Sequence, residues 1–289
     1  MFHIIANPTS GNGRGKKVAQ QIDSLLTQKK IDHTLHFTEQ PGDGEGMARQ
    51  AVQEHAETVI SIGGDGSTLE VARGLFGSKT ALGIIPAGTG NDFIRSLHIP
   101  SSPEQALEHI LSHPPRPVDA GTVNGKLFLN VCGFGFDVSV LDYSVPAKKY
   151  VKGMLPYLWG VLRTILHPEP ICATVELDGK TVYSGEMLVC AIANGSVYGG
   201  GIPIAPESSV NDGLFDVLIL KFVPSRRKLI TYLPGLLKGK STHFDISTLY
   251  RAKKVHLTPQ KMRVNVDGDV FPMEQEDFEL HKDAILVHW

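Results

Sequence analysis

The apolar run Val59-Ile60-Ser61-Ile62 ends on Gly63-Gly64-Asp65-Gly66-Ser67-Thr68, and the helix-forming stretch Leu69-Glu70-Val71-Ala72-Arg73-Gly74-Leu75 follows at once. A strand, a glycine turn with one acid and a helix start in direct succession are the parts of an α/β unit. Glycine lets backbone N–H groups approach a ligand, and the helix N-terminus adds partial positive charge, so the junction suits phosphate. An acid amid anion-binding N–H groups makes sense when a divalent cation lies between them, which points to a Mg-nucleotide. The same letters also serve as a tight turn with Asp65 as a cap.

Two further junctions repeat the pattern. Phe2-His3-Ile4-Ile5-Ala6 runs into Asn7-Pro8-Thr9-Ser10-Gly11-Asn12-Gly13-Arg14-Gly15, where Pro8 opposes an early helix and Thr9, Ser10 and Arg14 offer donors. No Gly-Lys-Ser/Thr closes this loop, so it is not a Walker sequence, and a flexible loop is the competing reading. Ala81-Leu82-Gly83-Ile84-Ile85 runs into Pro86-Ala87-Gly88-Thr89-Gly90-Asn91-Asp92-Phe93. Three phosphate-competent loops thus follow three strands, where open α/β sheets bind ligands.

The pattern changes near residue 118. Before it, Val18, Ala19, Ile22, Leu25 and Leu26 share a helix face, and Ser102-Pro103-Glu104-Gln105 reads as a capping box with Pro at the first position. After it, Asn124-Gly125 and Asp178-Gly179 separate short apolar runs as hairpin turns. Further strands are expected at Leu127–Val131, Met187–Ala193, Leu214–Phe222, Val255–Leu257, Met262–Val266, Phe278–Leu280 and Ile285–His288. The reading is a doubly wound α/β domain over 1–118 and a β-sandwich over 119–276.

The ordered set NPTSG, Thr38 after the second strand, GGDGST and PAGTGNDF resembles the catalytic domain of the diacylglycerol kinase family of lipid kinases. The likeness continues through Gly133-Phe134-Gly135-Phe136-Asp137, Ala193-Asn194-Gly195, Gly199-Gly200-Gly201, Pro206, Asn211–Asp216 and Val266-Asp267-Gly268-Asp269. The resemblance implies the same two domains, with residues 277–289 returning to the first and a cleft between them. It assigns ATP to Asn7, Pro8, Thr9, Ser10, Gly11, Thr38, Gly63 through Glu70 (Gly63, Gly64, Asp65, Gly66, Ser67, Thr68, Leu69, Glu70) and Gly88, Thr89, Gly90, Asn91 and Asp92. It also implies a structural Mg²⁺ held by Asp212 and the main-chain carbonyls of Ser209 and Leu214, a hard-oxygen set. An Asx-type turn at Asp212-Gly213 accounts for that segment equally well. In the similar family a glutamate of Asp-Gly-Glu takes the substrate proton. Asp269 stands there in this chain, roughly 1.5 Å shorter in reach, so Asp267 remains a rival base. Asn12 stands where a basic residue is common, so no phosphate role passes to Lys16 or Lys17.

Composition narrows the partners. Net charge −2 over 289 residues gives no global attraction to nucleic acid or to an anionic membrane. Cys132, Cys172 and Cys190 are an odd number in apolar runs, expected as buried free thiols in a reducing cytoplasm. The first residues show no signal peptide, and no apolar run is long enough to span a membrane. Two stretches break the β pattern. Tyr150 to Leu166 is apolar almost all round, either an acyl-chain wall or a helix covering a sheet. Ser225 to Lys240 sets Leu229, Ile230, Leu233, Leu236 and Leu237 between clusters of Arg and Lys, suited to a bilayer surface or to an ordinary amphipathic helix.

The resulting expectation is a cytoplasmic lipid kinase, peripheral to the inner face of the membrane, using ATP and Mg²⁺, with Asp65 orienting the nucleotide and Asp269 or Asp267 as base. A homodimer is compatible with it. The alternatives are an NAD kinase, which shares GGDG, and a nucleotide- or lipid-sensing protein without turnover.

Overall fold

The computed structural model describes residues 1–147, 155–259, 262–273 and 276–289, so the Tyr150–Met154 part of the apolar stretch lies outside the described residues. The chain forms two compact units, Met1–Ala120 with Lys282–Trp289, and Gly121–His281. In chain order the first half contains β1 (Phe2–Ala6), α1 (Ser10–Gln28), β2 (His33–Phe37), α2 (Asp43–Gln53), β3 (Thr58–Gly63), α3 (Asp65–Leu75), β4 (Ala81–Pro86), α4 (Asp92–Ser96), α5 (Pro103–Ser112) and β5 (Arg116–Val123). There follow β6 (Lys126–Phe128), β7 (Val131–Gly135), α6 (Phe136–Ala147), α7 (Leu155–Leu166), β8 (Ile171–Leu177), β9 (Lys180–Ala193), β10 (Val197–Tyr198), β11 (Ile202–Pro203) and β12 (Phe215–Lys221). The chain closes with α8 (Arg226–Leu237), β13 (Ser247–Ala252), β14 (Lys254–Pro259), β15 (Met262–Val266), β16 (Asp269–Met273) and β17 (Glu276–Val287).

The first unit is a parallel sheet in the order β2-β1-β3-β4, and Val287 of β17 pairs in parallel with Leu82 of β4. Every residue of β3 and β4 is buried, as expected for parallel strands covered on both faces. Val18, Ala19, Ile22 and Leu26 of α1 are buried as their spacing predicts. Gly11, Asn12 and Gly13 have positive φ, so regular helix begins only beyond them. At α5, Pro103 takes the first turn as expected, but no capping box forms: the Ser102 hydroxyl donates to Glu104 Oε2 at 2.5 Å.

The second unit is a β-sandwich whose strands alternate between two cores. Cys190 and Ile192 of β9, with Val217 and Ile219 of β12, join Val175, Val255, Leu257 and Phe278 between the sheets. Val189 and Ala191, with Leu218 and Leu220, turn the other way and pack with Val140, Val161, Ile165 and Leu229 of α6, α7 and α8. The hairpin turns fall at Asn124-Gly125 and Asp178-Gly179, all four residues with positive φ. β9 is one strand where two were expected, and β17 likewise joins two expected strands. The expected strand Leu127–Val131 is divided into β6 and β7 at Leu129-Asn130. Cys132 and Cys190 are buried free thiols, whereas the period of β8 turns Cys172 outward, so it is exposed.

Candidate active site

β1 connects to β2 on one side and β3 lies on its other, so the strand order reverses between β1 and β3 while all four strands stay parallel. Ligands of open α/β sheets bind at the carboxyl ends of the strands at such a point. The chain brings its loops together there. Asn7 donates its backbone N–H to Ile62 at 2.9 Å and its side-chain amide to Ser67 Oγ at 3.2 Å, while its Oδ1 accepts from the Thr9 N–H and hydroxyl. Gly63 O accepts from the N–H groups of Ala87 and Gly88 at 2.7 and 2.9 Å. The glycines let one loop approach another closely. A Cβ on Gly88 would sit 2.4 Å from Gly64 Cα, and one on Gly11, at φ +58°, 2.2 Å from Ala87 O.

Asp65 joins the second loop to the third. Its Oδ1 accepts the Phe93 N–H at the start of α4, 3.1 Å away, and its Oδ2 lies close against Gly90. Burial raises its carboxyl above the ordinary range, opposed by the N–H groups of Phe93, Asp92 and Asn91. Asn91, at φ +52°, returns its amide to Gly88 O.

Beside these loops the first unit holds a cavity of about 560 Å³ lined by Asn7, Pro8, Thr9, Thr38, Ser67 and Glu70, together with Ile5, Lys16, Phe37, Glu39, Gln40, Pro41, Gly44 and Val71. That volume falls in the range of about 300–1,000 Å³ usual for small-molecule sites. Thr68, Leu69 and Asp92, also expected around a nucleotide, are buried, the first two on the inward side of α3. Lys16 and Phe37 went unassigned in the sequence. The cation is brought to the wall by the left-handed turn at Gly11–Gly13, and the ring by the last residue of β2.

In the second unit Asp267-Gly268 is the turn of the β15–β16 hairpin, both residues at positive φ. The Asp267 carboxylate accepts N–H bonds from Leu129, Asn130 and Val131 at 2.6, 3.0 and 2.9 Å. Leu129 and Asn130 are the break between β6 and β7 and Val131 opens β7, which is why the expected strand is divided. Asn265 accepts from the Gly268 N–H and donates to buried Asp137 Oδ2, whose carboxyl burial raises to about 6. Asp269 stands just past this fixed turn and is exposed.

At the third group, Asp212 Oδ1 accepts the Leu214 N–H at 3.0 Å, the Asx-turn geometry, and Asp212 Oδ2 takes the Arg251 guanidinium, which also lies 3.3 Å from Asp216. The Ser209 hydroxyl donates to Asn211 at 2.8 Å. Both Asp212 oxygens are engaged within the protein, and the segment folds as the Asx-type turn that its sequence also allows.

Residues 1–123 match the diacylglycerol kinase catalytic domain, and residues 130–287 match the YegS C-terminal NAD kinase beta sandwich-like domain. The chain belongs to the diacylglycerol kinase family. A diacylglycerol kinase of Bacillus subtilis is 33% identical over 95% of this chain and 91% of its own, and one of Mycobacterium tuberculosis is 30% identical over 92% and 87%. Among solved structures, a diacylglycerol kinase from Bacillus anthracis covers 100% of this chain and 96% of its own, with a TM-score of 0.77 at 24% identity. An NAD kinase from Archaeoglobus fulgidus in complex with ATP covers 100% and 94%, with a TM-score of 0.57 at 14% identity, and shares the fold. Family membership makes the protein a lipid kinase, a phosphotransferase with an alcohol acceptor. Its fold is the expected α/β domain with a β-sandwich.

Proposed function

We propose that this kinase uses ATP to phosphorylate diacylglycerol, or a lipid alcohol close to it, giving a phosphatidic-acid-type product. The observation that carries the reading is the meeting of the Asn7, Gly63 and Gly88 loops at the switch point of the sheet, beside the cavity lined by Thr38, Ser67, Glu70 and Lys16. Backbone N–H groups and hydroxyls of these loops bind phosphate oxygens, and the Lys16 ammonium adds a positive charge. Asp65 acts as a positioning residue, holding the third loop on the second through Phe93. The hard oxygens of Thr38, Ser67 and Glu70 suit a Mg²⁺ arriving with the nucleotide, which supplies charge neutralisation at its phosphates.

The acceptor hydroxyl attacks the γ-phosphorus, its proton passes to an Asp269 carboxylate oxygen, and ADP leaves. Asp269 is preferred to Asp267 because the latter is tied by three N–H donors, whereas the former is open to solvent. A base must reach the proton it takes, and phosphoryl transfer otherwise needs mainly positioning and electrostatics. Among the described residues no helix is long and apolar enough to cross a membrane. We place the enzyme in the cytoplasm, drawing lipid from the inner face of the membrane. Purified protein given γ-labelled ATP with a panel of diacylglycerol, sphingoid base, phosphatidylglycerol and NAD tests this. Label in diacylglycerol is expected, and label in NAD alone, or in nothing, overturns it.

A further inference from the structure

Helix α7 is apolar on both sides. Its inward residues Pro156, Gly160, Val161, Thr164 and Ile165 are buried, and Val161 and Ile165 share a core with Leu229 of α8 over the same sheet face. The two helices therefore turn their other sides away from the sheet. On α7 that outer side is Leu155, Trp159, Leu162 and Leu166, spaced four, three and four residues apart and 43–62% exposed. On α8, Leu229 is buried and Leu233 and Leu236 lean on the core, leaving Ile230 and Leu237 half exposed on the outer row. The leucine face read from the sequence is thus divided, and only part of it faces outward. A helix apolar all round is ordinarily covered by protein or lipid, and an exposed apolar row along one marks an interaction site.

Charge selects the occupant. Arg226 and Arg227 precede Ile230, Lys238 and Lys240 follow Leu237, all four are exposed, and neither helix contains a carboxylate. Arg163 lies 5.6 Å from the rings of Tyr143 and Trp159, a cation held over aromatics. A second copy docked on this face by a two-fold axis would set the same cations against one another. An anionic bilayer meets the cations with its headgroups and the leucine row with its acyl boundary, where tryptophan favours the interface. We propose that the outer sides of α7 and α8 are the surface by which this protein docks on an anionic membrane, with Trp159 seated at the interface. The purpose of such docking rests on the lipid-substrate reading, but its geometry does not.

The chain has two tryptophans, Trp159 and Trp289. Vesicles of phosphatidylglycerol and phosphatidylcholine in equal proportion should blue-shift the emission of the wild type and leave a Trp159→Phe variant unshifted. A Trp159→Ser, Leu162→Ser double variant should sediment with these vesicles about ten-fold less or weaker, yet label a short-chain diacylglycerol in detergent at the wild-type rate. Undiminished sedimentation with no emission shift overturns the proposal, and so does an equal fall on vesicle and detergent substrates, which assigns these residues to the fold. Vesicle-free doubling of mass that the double variant abolishes gives the face to a second copy instead. Wild type that binds vesicles but labels no lipid upholds the docking surface and removes the lipid-kinase reading.

Discussion

Gly63-Gly64-Asp65-Gly66 in the first unit and Val266-Asp267-Gly268-Asp269 in the second are both glycine turns with acids, and the fold gives their carboxylates different surroundings. Asp65 has its carboxyl raised by burial while holding the start of α4. Asp267 is gripped by three N–H donors, and Asp269, two residues on, is open to solvent. An acid in such a turn is defined by the donors that reach it, and these come from elsewhere in the chain.

The hardest blow to the first region is Gly88→Val. Its Cβ would lie 2.4 Å from Gly64 Cα, so the loops must part, at a cost of roughly 3 kcal/mol or more. Calorimetry should find ATP binding lost and melting should come earlier. An unaltered variant would show that the loops do not depend on their contact.

In the second region the two acids should separate by readout. Asp269→Asn should fold normally and lose about 10²–10⁴ in kcat, the usual worth of a general base. Asp267→Asn should instead lower stability by roughly 2–3 kcal/mol, because an amide cannot accept three N–H bonds as a carboxylate does. If Asp267→Asn melts like the wild type while its rate collapses, the roles are exchanged.

The turn pairs of the second unit were legible because Asn-Gly and Asp-Gly tolerate positive φ, and the first unit because buried parallel strands read as unbroken apolar runs. The break at Leu129-Asn130 was not, since it is made by a carboxylate 137 residues further on, at Asp267. Nor was Lys16, whose place on the cavity depends on three left-handed residues before it. Nor was the ion pair of Asp212, since its partner Arg251 is distant in sequence.

Asp65→Asn should act more mildly. A neutral amide removes the desolvated charge yet keeps an acceptor for Phe93, so melting should change little and the apparent KM for ATP should rise several-fold. An unchanged KM would deny Asp65 any part in positioning.

The smallest effect concerns Glu276, a buried acid of the second unit whose Oε2 accepts from Asn124 at 2.7 Å. Burial, and then Asp277, push its carboxyl from 4.5 to about 7. The folded state thus keeps a proton that the unfolded chain releases, so stability falls as pH rises between those values and stays lower above them. Glu276→Gln should raise the melting temperature at pH 8 and leave it unchanged at pH 4. A gain of equal size at both would mean that packing, not charge, sets the cost.

The most direct test of the division of labour is transfer of labelled γ-phosphate from ATP to diacylglycerol by wild type and Asp269→Asn, with ATP affinity measured on the same samples. The wild type should label the lipid, and the variant should bind ATP equally well while labelling at least about a hundred-fold more slowly. A variant that binds ATP and labels diacylglycerol at the wild-type rate would contradict the account.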